Sequence, residues 1–140
     1  MGKRGTGRKL AMQALYQAEI RQQPIEMIVD SFVVESDYEE DTKAWAISLC
    51  KNTWEKRVEL DEIVKTYSIG WDLDRLNIVD KSLLRLALYE IKYQDTPYTV
   101  VLDEVIEISK TFSTEDSPKF INGILGNYVK NECQPESKPS

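Results

Sequence analysis

Asn77-Ile78-Val79-Asp80-Lys81-Ser82-Leu83-Leu84-Arg85-Leu86-Ala87-Leu88-Tyr89-Glu90-Ile91 is the stretch whose reading decides the fold. Projected at 100° per residue, Val79, Leu83, Leu84, Leu86, Ala87, Leu88 and Ile91 cover a wide apolar arc. A helix that apolar must be covered on several sides, so the spacing predicts a central helix from about Asn77 to Gln94. Glu90 projects into the arc and, once buried, needs a partner; a structural role is the simpler expectation than a catalytic one. Arg85, Tyr89 and Lys92 line the remaining stripe, which would suit a protein partner.

Outward from that helix the spacing stays helical. Thr96-Pro97 reads as N-cap and first helical position of a helix reaching Phe112, with Val101, Leu102, Val105, Ile108 and Phe112 inward. Ser117-Pro118 repeats the device and opens a helix ending near Asn131, with Ile121, Ile124, Leu125 and Tyr128 inward and Phe120 at the edge of the arc, partly exposed. Its outer face holds Lys119, Gly123, Gly126 and Lys130. Glycine inside a helix costs about 1 kcal/mol relative to alanine, so close approach of a ligand or of another helix is expected there.

Upstream, Trp71 to Leu76 reads as a turn with a wedge-like Trp71, and Gly70 as the C-cap of a long helix. That helix is expected to extend to Ser68 from a capping box, Ser36 with Glu39, with Trp45, Leu49, Leu60, Ile63, Val64 and Tyr67 as core candidates. A short helix covers Ile25 to Val34, and the first runs from about Arg8 to Gln22, before Pro24. Strand-like alternation and internal repeats are absent. The expectation is an all-α single domain over residues 1–132, about six helices in two three-helix halves meeting near residue 71, followed by a disordered polar tail over 133–140.

Charge is unevenly spread. Lys3, Arg4, Arg8 and Lys9 fall in the first nine positions without an acid, while the other 131 residues carry fourteen basic and twenty-four acidic side chains. Such segregation steers one edge of a molecule toward a polyanion while the rest repels it. In the first helix Lys9, Gln13 and Tyr16 share the face opposite Leu10, Ala11, Ala14, Leu15 and Ala18, with Arg8 alongside. A cation for phosphate, an amide for a base edge and a ring for stacking suit single-stranded RNA. Tyr16 packed against a neighbouring helix, with Gln13 merely solvated, is the plainer alternative.

Other classes find little support. No apolar run approaches the roughly 20 residues that span a bilayer, and no apolar segment follows the basic residues as in a signal peptide. Two cysteines, Cys50 and Cys133, make no disulfide framework, so the expectation is a cytoplasmic protein with reduced thiols. With no histidine, the commonest general base and metal ligand is missing. There is also no glycine-rich phosphate loop and no Cys-x-x-Cys pair. The acidic run Asp37–Asp41 is explained more simply by the helix dipole than by metal binding. Neither enzyme activity, nor a metal, nor a cofactor is expected.

Ala11-Met12-Gln13-Ala14-Leu15-Tyr16-Gln17, Val79 to Glu90 as quoted above, Asp103-Glu104-Val105-Ile106-Glu107 and Asp116-Ser117-Pro118-Lys119-Phe120-Ile121-Asn122-Gly123-Ile124-Leu125 occur in an order and spacing that closely resemble the NusB family of transcription antitermination factors. No single piece is diagnostic; the ordered set, over about residues 8 to 130, carries the resemblance. It implies a six-helix fold that binds the boxA element of ribosomal RNA leader transcripts together with a small-subunit ribosomal protein acting as NusE, within the antitermination complex on RNA polymerase. It also raises the possibility of a homodimer when the protein is free. Carried over by position, RNA contact falls to Lys3, Arg4, Arg8, Lys9, Gln13, Tyr16, Asp116, Lys119 and Phe120, and the ribosomal-protein face to Asp80, Arg85 and Tyr89. Where family members often carry several arginines, this chain has Gly5-Thr6-Gly7, which implies fewer phosphate contacts and a flatter salt dependence.

Overall fold

Seven α-helices and no strand make up the residues that the computed structural model describes, 2–68 and 76–133. In chain order they are α1 (Lys3–Arg21), α2 (Ile25–Ile28, continued by a π-helical turn over Val29–Val33), α3 (Glu40–Glu55), α4 (Arg57–Tyr67), α5 (Ile78–Tyr93), α6 (Tyr98–Phe112) and α7 (Ser117–Tyr128, continued by a π-helical turn over Val129–Cys133). The expected turn at Trp71, the Gly70 cap and residues 134–140 of the tail lie outside the described residues.

The wide arc of α5 does what its spacing requires. Every residue from Ser82 to Leu88 is buried, and α1, α3, α4, α6 and α7 all pack on this helix. Two apolar clusters meet there. One joins Leu10 and Leu15 of α1, Ile25 and Ile28 of α2, Ala46 and Leu49 of α3 and Leu86 of α5. The other joins Leu60 and Val64 of α4, Leu84 and Leu88 of α5, Val105 and Ile108 of α6, and Ile121 and Leu125 of α7. Tyr89 packs against both.

Several boundaries differ from expectation. The long helix toward Ser68 breaks at Lys56, whose φ of −93° and ψ of 9° end one helix and start the next. Its second part, α4, belongs to the second cluster, so the halves divide at Lys56 into three helices and four rather than near residue 71. The capping box does not form: Glu39 is the N-cap of α3 without a side-chain hydrogen bond, and the Ser36 hydroxyl donates to the Val33 carbonyl at 2.7 Å. Glu40 and Asp41 do occupy the first turn, where the dipole favours them. Pro97 and Asp116, not Thr96 and Ser117, are the N-caps of α6 and α7. At Asn77 a true cap is present, its side chain accepting from the Asp80 backbone N–H.

Candidate nucleic-acid interface

α1 begins at Lys3, five residues before the expected start, and its extra turn holds the cations. Gly7 lies against the Trp45 ring so closely that an added Cβ would stand 2.5 Å from Trp45 Cε3. Above the same ring sit the guanidinium groups of Arg4, at 4.7 Å, and Arg8, at 5.3 Å. Lys9 lies 5.9 Å from the Tyr38 ring. Lys3 donates to Asp41 at 2.6 Å and pairs with Glu39 at 3.3 Å. The hydrogen bond to Asp41 holds the Lys3 ammonium above its ordinary pKa and, reciprocally, the Asp41 carboxyl below its own. Both pairs are exposed and therefore weak. Lys3 and Arg4 are exposed and Lys9 half-buried.

Arg8 corrects the sequence reading. Its side chain retains 4% of its exposure, because Nε and Nη2 donate to the two carboxylate oxygens of Glu90 at 2.6 and 2.8 Å. Nη1 reaches Glu104 at 3.3 Å. Glu90 is fully buried, so the partner that its position demanded is Arg8, and the helix face assigned to Arg8 as RNA-facing is internal. Arg8 cannot offer phosphate its guanidinium without abandoning a buried carboxylate.

Gln13 and Tyr16 are half-buried and line a groove of about 380 Å³ with Met12, Gln17, Phe32, Val79 and Phe112. It continues into a second hollow of about 500 Å³, where Tyr16 faces Ile20, Ile78, Val79, Phe112 and Thr114. The phenol ring is therefore neither sealed in the core nor fully free. Thr114 precedes Asp116 by two residues, so the loop into α7 adjoins the Tyr16 face of α1. Asp116 and Lys119 are exposed, whereas Phe120 is 6% exposed and sits in the core with Met12, correcting its expected half-exposure. The groove residues Ile78, Val79 and Phe112 were read as interior or left unassigned. They lie at helix ends, where periodicity does not show that the neighbouring helix has stopped.

The expected partner face is corrected as well. Asp80 is buried, accepting from the Ser113 and Ser117 hydroxyls at 2.7 and 2.8 Å; it fastens the loop before α7 to the start of α5. Arg85 is buried too, donating to both Asp61 oxygens at 2.7 Å and to Glu19 at 2.8 Å. Tyr89 is half-buried between the clusters, and Lys92 is paired with Glu59 at 2.6 Å. Within that stripe Arg85 is an internal tie and Tyr89 is packed between the clusters, while Lys92 is exposed in a surface pair. The groove, by contrast, carries exposed apolar side chains: Phe112 is 39% and Ile20 51% exposed.

Among the described residues no three His, Cys, Asp or Glu side chains group as a metal site, and no helix is long and apolar enough to cross a membrane. Comparison with known proteins gives a consistent result. The sequence profile of the NusB family matches residues 6–130. The transcription antitermination protein NusB of Acetivibrio thermocellus is 37% identical over 131 residues, 93% of this chain and 90% of that protein. The structure of T. maritima NusB superposes with a TM-score of 0.84 at 32% identity, covering 97% of this chain and 96% of that one. A crystal structure of antitermination factors NusB and NusE in complex with dsRNA gives a TM-score of 0.83 at 24% identity, covering 91% and 96%.

Proposed function

The chain belongs to the NusB family of transcription antitermination proteins, and on that premise we propose that it holds boxA-type RNA of rRNA leader transcripts jointly with a small-subunit ribosomal protein acting as NusE. It works as a binding factor of the antitermination complex on RNA polymerase, in the cytoplasm, and not as an enzyme. The observation that carries the reading is the face of α1 that holds Lys9, Gln13 and Tyr16, the last two lining an open groove, with Lys3 and Arg4 exposed at the start of the same helix. Phosphates meet the cations, a base edge meets the Gln13 amide, and a base stacks at Tyr16. Asp116 and Lys119, exposed two and five residues after the groove residue Thr114, are assigned to the same RNA surface.

The apolar end of the groove, Ile20, Ile78, Val79 and Phe112, is the surface we assign to the ribosomal protein, in place of Asp80, Arg85 and Tyr89. Of those three, Asp80 fixes the start of α5 to the loop into α7, Arg85 ties α5 to Asp61 of α4 and Glu19 of α1, and Tyr89 packs between the clusters. An apolar strip of this kind also offers a second copy a place to dock, so a homodimer of the free protein would compete with the partner. A NusB of the same fold has been crystallised with NusE and dsRNA, an assembly of the kind proposed here.

The test measures RNA binding in the presence of the ribosomal protein across a salt series. Lys3→Ala, Arg4→Ala and Lys9→Ala combined are expected to reduce the slope of log affinity against log salt by about 2, at about 0.7 per single-strand phosphate. All three are outside the core, so the melting temperature should hold. Unchanged affinity in the triple variant contradicts the reading. Equal affinity for a duplex of the same sequence would leave the phosphate contacts and remove the stacking role of Tyr16.

A further inference from the structure

We infer that Trp45 is a positioning residue for RNA: its ring is the seat that folds the basic arm into α1 and holds Arg4 exposed at the start of that helix, where phosphate can reach it. This rests on the RNA reading above and adds to it a residue on a different helix, α3.

Local sequence disfavours a helix where this one begins. Gly5 and Gly7 are poor helix formers. The N-cap, Gly2, contributes no side-chain hydrogen bond, and no acid occupies the first turn. Cations there oppose the positive end of the helix dipole. The first turns nevertheless run as α-helix from Lys3, with Gly5 and Gly7 buried. What compensates is the Trp45 ring. The three atoms nearest to a Cβ built on Gly7 all belong to it, at 2.5, 3.0 and 3.7 Å. Only a bare backbone lets the ring lie so close. Arg4 and Arg8, three residues before and one after Gly7, both lie over that ring, an arrangement that attracts a cation to the aromatic face. The Gly5-Thr6-Gly7 interruption of the cation run is therefore the docking site of the arm. Arg8 anchors below it on Glu90, and Arg4 remains exposed above. A pre-ordered arm spares RNA the entropy of ordering it on binding.

The full chain, with its ribosomal partner and a single-stranded boxA-type oligonucleotide, is compared as wild type, Trp45→Ala, Trp45→Phe, Gly7→Ala and the Gly7→Ala/Trp45→Ala double variant. Amide exchange over residues 3–9 is read in the free protein, and RNA affinity over a salt series in the complex. Trp45→Ala and Gly7→Ala are each expected to speed exchange of the arm about tenfold while α5 stays protected. Each should weaken RNA binding about three- to tenfold and lower the salt slope by about one. Trp45→Phe should restore most of both. The double variant should bind no worse than Trp45→Ala alone, because the added methyl then meets no ring. Should Trp45→Ala unfold the domain, Gly7→Ala and the Phe variant carry the test. Wild-type affinity and slope in Trp45→Ala despite a loosened arm would overturn the proposal, as would losses that multiply in the double variant. A wild-type complex that binds no RNA would instead remove the RNA reading itself, a result distinct from either.

Discussion

Arg8 joins three helices through one guanidinium, bonding Glu90 of α5 bidentately and Glu104 of α6 from its place in α1. Burial alone would lower its pKa, but Glu90 and then Glu104 outweigh that and hold it above the ordinary value. Removing the cation strands a carboxylate with no exposure, and breaking such a pair costs about 3–5 kcal/mol. Urea melts of Arg8→Ala are expected to show that loss, and Arg8→Met with Glu90→Met to recover most of it. Glu19 offers a pH test. Burial pushes its carboxyl up, but Arg85 and then Lys81 pull harder, leaving it below the ordinary glutamate range. A depressed folded pKa adds stability above the unfolded value of about 4.3 and loses it as pH falls through the folded one. Unfolding free energy should therefore decline on acidification below about pH 4.5, and less steeply in Glu19→Gln. The sequence showed that Glu90 needed a partner. It did not show which, because the answer lies 82 residues away on a face that helical projection assigns to solvent.

At the level of the helices, periodicity was legible wherever a face is buried along its whole length, as in α5 from Ser82 to Leu88 and in α7 at Ile121, Ile124, Leu125 and Tyr128. It failed at ends and breaks. Lys56 interrupts a run whose apolar spacing continues on both sides, and the start expected at Arg8 moves back to Lys3 because Gly7 packs against Trp45. Gly123 and Gly126 turn out not to serve tight packing. A Cβ on Gly123 meets nothing within 4 Å, and one on Gly126 meets only the Tyr98 hydroxyl, at 3.6 Å. Gly123→Ala is expected to raise stability by about 0.5–1 kcal/mol in denaturant melts. An accompanying drop in RNA affinity would show that the bare backbone serves the ligand. At the other end of the molecule, Gln22 closes α1 with φ of 54°, a conformation that glycine adopts without strain. Gln22→Gly should stabilise by up to about 1 kcal/mol, less whatever its bond to the Glu19 carbonyl contributes.

For the whole molecule, two clusters sharing α5 make the frame that carries the proposed RNA surface on α1 and the proposed partner surface where α1 meets the start of α5 and the end of α6. Cys50 reports on that frame: it is fully buried and burial pushes its thiol up to about 12. In a Cys133→Ser background its alkylation should proceed only as fast as the domain opens. The cationic edge was legible from charge segregation and the Tyr16 face from helical spacing. The groove beside them was not, because it is built where α5 and α6 end. A second basic and aromatic surface, Lys56 and Lys92 about Tyr93, lies at the far end of α5 from Val79 and provides the contrast for a decisive test. In the complex with the ribosomal protein, amide chemical shifts are recorded as boxA-type RNA is added. The changes are expected at Lys3 to Tyr16 and at Thr114 to Lys119; changes confined to Lys56, Lys92 and Tyr93 would contradict the assignment of the RNA surface.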